Sequence, residues 1–364
     1  MPSKVHFVSA VVKKLSADDT LPAKFRRMLD ELDLKGMFGG KRVAVKMHVG
    51  GHLGYTTIHP LFVRMFVSKL KEAGADPFLT DGSFSVDGAK ARGYTEEVLG
   101  APIYPIAGIA DRHFVTKEIG YRTLEKIEVA GNIADADAMV VLSHGKGHGH
   151  CGFGGAIKNI AMGCVTVATR GWIHALGDTA FTWDAEACTH CYTCRDNCPG
   201  GAISFNDKGE FSIFLHHCRY CMHCVTSCPE HAITIDDQGS RYFQEGMART
   251  TKAVLDCFEP NRVLYVTALM NITPLCDCWG FSTPSLVPDI GIMASKDIVA
   301  IEQAAIDSIK FENYIEGSMP EQVQLDERDG HLLWKIWRKD PYLQVETAAE
   351  IGLGSREYEL VEIA

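Results

Sequence analysis

The sequence predicts an α/β protein with a mostly parallel sheet core and a small cysteine-rich α+β insertion in its middle. Two observations carry this reading. Strand-like and helix-like segments alternate on both sides of the middle of the chain, and the middle holds a duplicated cysteine pattern. Neighbouring parallel strands need a crossover, so strand–helix–strand alternation builds a parallel sheet with helices on both faces.

The elements follow in order. The opening stretch, Met1 to Lys14, reads as a first strand. Its apolar core is too short for a secretory leader and no convincing cleavage site follows. Lys41 to His48 is a strand that ends in polar groups. Leu61 to Ala73 has helical periodicity and stops at Gly74, a C-cap signal. Asp76 to Asp81 is a second strand with a polar end, Lys126 to Val129 is extended, and Ala138 to His144 is a short apolar strand. Beyond the insertion, Arg262 to Leu269 is again a strand. Lys296 to Lys310 is an amphipathic helix with Val299, Ala300, Ala304 and Ile309 on its apolar side. The expected organisation is residues 1–182 and 241–312 as two parts of one core, 183–240 as the insertion, and 313–364 as a charged tail of surface helices. In parallel sheets, ligands collect at the carboxyl ends of the strands. His48, Asp81 and His144 all fall there, the first pointer to a site in the core.

Composition sets outer bounds. With 364 residues, the part outside the insertion is ample for one large domain or two ordinary ones. No apolar run approaches the roughly 18–20 residues of a membrane span, so none is expected. A net charge of −10 argues against a nucleic-acid-binding surface. Eight of the thirteen cysteines lie in the duplicated runs, which leaves five. That usage fits a reducing, low-oxygen cytoplasm.

Cys188-x2-Cys191-x2-Cys194-x3-Cys198-Pro199 returns thirty residues on as Cys218-x2-Cys221-x2-Cys224-x3-Cys228-Pro229. This run wraps a cubane 4Fe–4S cluster, and a duplicated run wraps two. Three thiolates of one tight loop reach one cube, and after the proline turn the fourth serves the other cube. Cys188, Cys191, Cys194 and Cys228 are thus expected to hold one cluster, and Cys218, Cys221, Cys224 and Cys198 the other. The echo extends beyond the ligands, Cys-Pro-Gly-Gly-Ala-Ile against Cys-Pro-Glu-His-Ala-Ile, as in a bacterial two-cluster ferredoxin-like module. Paired zinc sites or disulfides are the alternative, but zinc pairs rarely use the x2-x2-x3-Pro run.

A second constellation runs from Ser143 to Asn159 and holds three histidines, two lysines and six glycines. Glycines let backbone approach a ligand. Lys146 and Lys158 are suited to an anion, yet neither a phosphate-loop pattern nor a dinucleotide fingerprint is present. Neither flavin nor nicotinamide is therefore expected. Histidine ligates metals and moves protons near neutral pH. A glycine-rich surface loop with solvated histidines is the plain alternative. Cys276-Asp-Cys278 reads as a further metal or redox position, and Cys151 adjoins the histidines. Cys164 and Cys257 read as packing residues. His216 and His217 suit tuning or shielding of a cluster rather than ligation, and Asp289 and Asp297 stand where helix caps are the default.

These residues resemble the DUF362 iron–sulfur proteins, an uncharacterised prokaryotic family. The shared landmarks are Lys46-Met-His48, Thr56-Thr57, Thr80-Asp81, Ser143-His144 with Lys146-Gly-His148, and Gly152 to Asn159. Met162-Gly-Cys164, both cysteine runs, Cys276-Asp-Cys278 and Asp289-Ile-Gly291 continue the match. Tyr55 stands where the family has Asn, and Asp297 to Glu302 departs from the family's Asp-Pro-Val-Ala-Ile-Asp. The resemblance implies a fold and a cofactor class, with no reaction attached. The chain is also similar to the nickel-pincer lactate racemase family, which has a Gly-Gly…Lys segment and the spacing His-x9-Lys-x15-His. His148, Lys158 and His174 have that spacing. This likeness implies one reaction centre around a metal ion, a small organic cofactor, or a carbonyl or carboxylate substrate. Lys158 would be a clamp or Schiff-base amine, and the histidines acid–base groups or ligands.

The expected function is an iron–sulfur oxidoreductase. Low-potential electrons from a redox-protein partner pass through the two clusters to a small-molecule site framed by Asp81, His144, His148, Lys158 and His174. His48, Lys146, Cys276 and Cys278 are further cofactor-binding positions. An electron carrier that only docks a redox partner, and an accessory protein that holds or assembles a metal or cofactor, are the alternatives.

Overall fold

Eight strands form the central sheet in the computed structural model, which describes residues 2–51, 53–178, 181–236, 238–280, 283–319 and 325–364. They are β1 (Ser3–Ser9), β2 (Arg42–Met47), β3 (Asp76–Asp81), β4 (Ile103–Pro105), β5 (Ala138–His144), β6 (Val263–Leu269), β7 (Gly291–Ser295) and β8 (Tyr358–Glu362). Their spatial order is β8-β1-β7-β6-β5-β2-β3-β4. Only β7 runs against its neighbours; every other pairing is parallel. The molecule is an α/β protein with a mostly parallel sheet. The two parts of the core meet at β5 and β6, where Met139–His144 stand in register with Val263–Ala268.

The central strands are apolar because both faces are covered. All seven residues of β5 are buried, as a strand between two helical layers must be. One layer includes α1 (Leu21–Glu31) and α2 (Pro60–Glu72), whose Phe25, Val63, Phe66 and Leu70 fill the core beneath. Pro60 opens α2, where a missing N–H costs nothing, and Gly74 takes φ +83° just past its end. The other layer contains α3 (Ala156–Ala161), α4 (Val167–Asp178), α5 (Gly239–Leu255) and α6 (Ile298–Ser308). Asp297 caps α6 by accepting the N–H groups of Val299 and Ala300. Asp289 caps no helix; it accepts the backbone N–H of Asn271 and anchors the loop after β6. Among the described residues, no helix is long and apolar enough to cross a membrane.

The C-terminal segment differs from the expected surface helices. α7 (Leu332–Trp337) and α8 (Leu343–Glu350) bury Leu332, Leu333, Ile336, Val345 and Ala348 in the main core, and β8 extends the sheet beside β1. Many of its charged residues face outward, although Asp326, Lys335 and Lys339 are buried, and averaging over both faces hides the apolar stripe.

Residues 181–235 build a small unit with its own core of Ile203, Phe211, Ile213, Leu215 and Ile233. Phe181–Trp183 pairs antiparallel with Ile233–Ile235, and Ile203–Phe205 with Phe211–Ile213. The sequence repeat is also a backbone repeat. His190 and Tyr192 take φ of 55° and 58°, and the equivalent Tyr220 and Met222 take 49° and 62°. Non-glycine residues seldom adopt this conformation, so its recurrence at matched positions marks two copies of one loop.

Candidate functional site

The fourth cysteine of each run crosses to the other loop. Cys188, Cys191, Cys194 and Cys228 line one pocket, and Cys218, Cys221, Cys224 and Cys198 line the second. The backbone N–H of Ala202 points at Cys198 Sγ (3.2 Å), and that of Ala232 at Cys228 Sγ (3.4 Å). All thirteen cysteines are free thiols. Four converging sulfurs, with a backbone donor aimed at the fourth, suit an iron–sulfur cube, the group whose potential such hydrogen bonds tune.

A cavity of 530 Å³ opens at the carboxyl ends of β2, β3 and β5. His48, Asp81, His144, Lys146, His148, Lys158, His174, Cys276 and Cys278 all line it. Strand ends deliver the first of these; the hairpin Lys146–His148/Gly152–Gly154 and helices α3 and α4 deliver the next. The loop after β6 brings the two cysteines.

Two buried carboxylates organise the walls. Asp81 takes Lys46 Nζ at 3.0 Å on one oxygen and His48 Nδ1 at 2.9 Å on the other. Burial alone would raise its pKa, but Lys46 and His48 outweigh burial and hold the carboxyl far below the usual range. Lys46 also donates to Asn159 Oδ1 at 2.8 Å, tying β2 to α3. Asp277 takes Lys146 Nζ at 2.9 Å and His144 Nδ1 at 3.0 Å, while His144 Nε2 lies 2.8 Å from the carbonyl of Met270. Burial opposes the charge of Asp277 too, and Lys146 and His144 overcome it. His144 and Lys146 are thus committed to a buried carboxylate and form wall rather than reactive surface. The sequence reading quoted Asp277 only as the spacer between two cysteines.

Cys278 faces the cavity with Lys158 Nζ 3.1 Å from its sulfur. A hydrogen bond from the Cys276 thiol, then the charges of Lys158 and His48, hold Cys278 well below a normal thiol, although the surrounding protein atoms partly desolvate it. Cys276 moves the opposite way, since it donates that hydrogen bond and is buried. Burial resists charge on His48, yet Asp81 and Cys278 push it up to about 9. Burial likewise opposes charge on Lys158, and the Cys278 thiolate more than restores it. One wall therefore carries a thiolate between an ammonium and an imidazolium. Lys158 sits on α3, whose first N–H groups, Ala156 and Ile157, are accepted by the buried Glu302. The Asp297–Glu302 stretch thus serves the framework at both ends.

Neutral imidazoles form another part of the wall, with His150 behind it. His148, His150, His174 and His216 gather against Phe243, which stacks on His150 at 4.0 Å between ring centroids. Burial is the main cause that lowers all four, His174 to about 4 and His216 to about 3. The sequence reading did not single out His150, and it set His216 aside as a cluster-tuning residue. His216 reaches the cavity because Gly149 packs on its backbone: a Cβ on Gly149 would lie 2.4 Å from the His216 carbonyl oxygen. Lys339 was also missed. Buried under the join, it donates to the carbonyls of Gly149, Leu215 (2.9 Å) and Cys218. Its setting along the chain, between Arg338 and Asp340 in a charged tail, carries no motif.

A parallel α/β body with a polar cavity at its strand ends and a duplicated cysteine loop beside it defines the class of protein. The chain belongs to the DUF362 family, a domain of unknown function, whose model matches residues 43–307. Among solved structures it is similar to the lactate racemase apoprotein from Thermoanaerobacterium thermosaccharolyticum. That match has 13% identity and a TM-score of 0.36, and covers 74% of this chain and 51% of that one. The chain thus spans about half the length of that protein. No curated protein matches the chain.

Proposed function

We propose that the protein is an iron–sulfur oxidoreductase that passes low-potential electrons through two 4Fe–4S clusters to a small substrate or cofactor in the cavity. One observation carries this reading: the segment that leads into the second cysteine loop is also cavity wall. His216 lines the cavity two residues before Cys218, and Lys339 ties the carbonyls of Gly149, Leu215 and Cys218 into one joint. The cysteine sets Cys188/Cys191/Cys194/Cys228 and Cys218/Cys221/Cys224/Cys198 would hold the clusters, which supply single electrons when bound.

The chain's own residues supply the rest. The cavity volume falls within the roughly 300–1,000 Å³ of small-molecule sites. Lys158, with Arg170 also on the wall, favours an anionic group such as a carboxylate. His48 is the proton donor. Its Nδ1 is committed to Asp81, which leaves Nε2 on the Cys278 side without a geometric hydrogen-bond partner, and the imidazolium persists up to about pH 9. His174, neutral at physiological pH, offers the cavity an unprotonated ring nitrogen, which can take a proton or a metal ion. A carrier without a substrate would have no use for this arrangement.

Anaerobically purified protein should contain about eight iron and eight sulfide per chain. Lys158→Ala should leave the cluster absorption intact while abolishing reduction of the bound acceptor. Loss of cluster assembly in Lys158→Ala would defeat the two-site reading, and anaerobic protein without iron would defeat the cluster reading.

A further inference from the structure

We propose that His150, His174 and His216 form a three-imidazole site for one divalent transition-metal ion, set between the cysteine-rich unit and the cavity. The site is distinct from the proposed iron–sulfur positions and does not rest on them. Three elements bring it together: the hairpin loop carries His150, α4 carries His174, and the approach to the second cysteine loop carries His216.

The geometry is that of a ligand set. One ring nitrogen from each histidine lies within 4.8 Å of those from the other two. The ring centroids form a nearly equilateral triangle with sides of 5.6, 5.3 and 5.4 Å. A tetrahedral ion bound at about 2.0–2.1 Å places its donor nitrogens about 3.4 Å apart, so binding draws the three rings together by up to about 1.5 Å. His148 is also close to His216, at 5.2 Å, but its Nδ1 already meets the His150 N–H and the Cys151 thiol, both at 3.2 Å. It stands outside the set.

A second observation points to a ligand. His150 is 1% exposed, and neither of its ring nitrogens has a hydrogen-bond partner. Buried polar atoms are almost always satisfied, and an imidazole lone pair without a donor is what a metal ion takes up. The surroundings hold that ring in place. Phe243 stacks on it at an interplanar angle of 7°, and Gly177 leaves room at its edge, where a Cβ would lie 2.8 Å from Nε2. His174 and His216 line the cavity and His150 stands behind them, so the fourth coordination position opens toward the cavity. Three neutral nitrogen donors without a carboxylate select Fe(II), Co(II), Ni(II) or Zn(II) over magnesium or calcium. There the ion would polarise a carbonyl or carboxylate oxygen of the bound molecule.

The test is Co(II) titration of anaerobic, chelator-treated protein that retains its iron, read by visible d–d absorption. Wild type should bind one equivalent per chain with a tetrahedral spectrum. His174→Gln and His150→Phe should each weaken binding by more than the roughly 10–100-fold that loss of an outer-sphere partner costs. Iron content serves as the folding control, and if His150→Phe fails it, the more exposed His174→Gln decides alone. No Co(II) spectrum in wild type, or an unchanged one in a folded variant, overturns the site. Failure of the electron-transfer reading would leave this spectrum untouched, so the two fail separately.

Discussion

In the cysteine-rich unit, each four-sulfur pocket draws on two short loops that repeat each other in sequence and in backbone angles. The cavity is assembled differently. Its side chains come from the ends of β2, β3 and β5, from a hairpin, from α3 and α4, from the loop after β6 and from the edge of the cysteine-rich unit. The first region is local and duplicated, and its cysteine side chains converge from two neighbouring loops alone. The second is global, and its charges are balanced by pairs such as Lys46–Asp81 and Lys146–Asp277 that also hold strands and helices in place. Damage to a cysteine loop should therefore stay local, whereas damage to a cavity carboxylate should reach the whole fold.

Asp81→Ala is the strongest trial of that contrast. It leaves Lys46 charged, fully buried and unpaired, an expected loss of about 3–5 kcal/mol in chemical denaturation. If stability holds and only iron is lost, the contrast is wrong. Cys191→Ala should do the reverse, lowering iron from about eight to about four per chain while denaturation of the α/β body is unchanged. Cys228→Ala should remove the same half of the iron signal as Cys188→Ala, since those sulfurs share a pocket.

Lys339→Met probes the joint between the two regions. Three buried carbonyls lose their donor, an expected cost of about 1–3 kcal/mol. Limited proteolysis should then cut first within 181–235. Faster cleavage spread evenly over the chain would mean that the joint is not where the two regions are held.

The smallest effect concerns pH. His48 is raised on folding, so alone it adds stability that is complete below about pH 6.5 and lost as pH rises through about 9. Cys278 is depressed, so alone it adds stability that is complete above its unfolded value near 9 and lost as pH falls toward its folded value. Between pH 6.5 and 9 folding in effect moves a proton from Cys278 to His48. The two slopes cancel, so denaturation midpoints should be nearly flat between about pH 7 and 8, the interval between the folded values of Glu302 and Lys339. Cys278→Ser removes one side and should uncover a fall in stability with rising pH. A flat profile in that variant would disprove the pairing.

Much of this was legible along the chain. β3 and β5 lie where the apolar runs place them, and all nine core residues singled out in the sequence line one cavity. Polar residues at the ends of parallel strands share a face of the sheet, which is why that inference reached so far. His150, His216, Asp277 and Lys339 were not read as members of the site. Each stands beside its partners only after distant segments pack, and none belongs to a repeating pattern. The C-terminal segment was misread for a related reason, since its composition averages an outer charged face with an inner apolar one.

By itself the sequence determined what depends on spacing along the chain. Strands, helices and the crossed cysteine loops follow from periods of two, from periods of 3.6 and from a repeated ligand run, all local properties. Only the tertiary structure decided which charges neutralise one another. Asp277 turns His144 and Lys146 into wall, and Cys278 takes Lys158 and His48 as partners. Electrostatic pairing and ligand geometry act through space over a few ångströms, and distance along the chain says nothing about them.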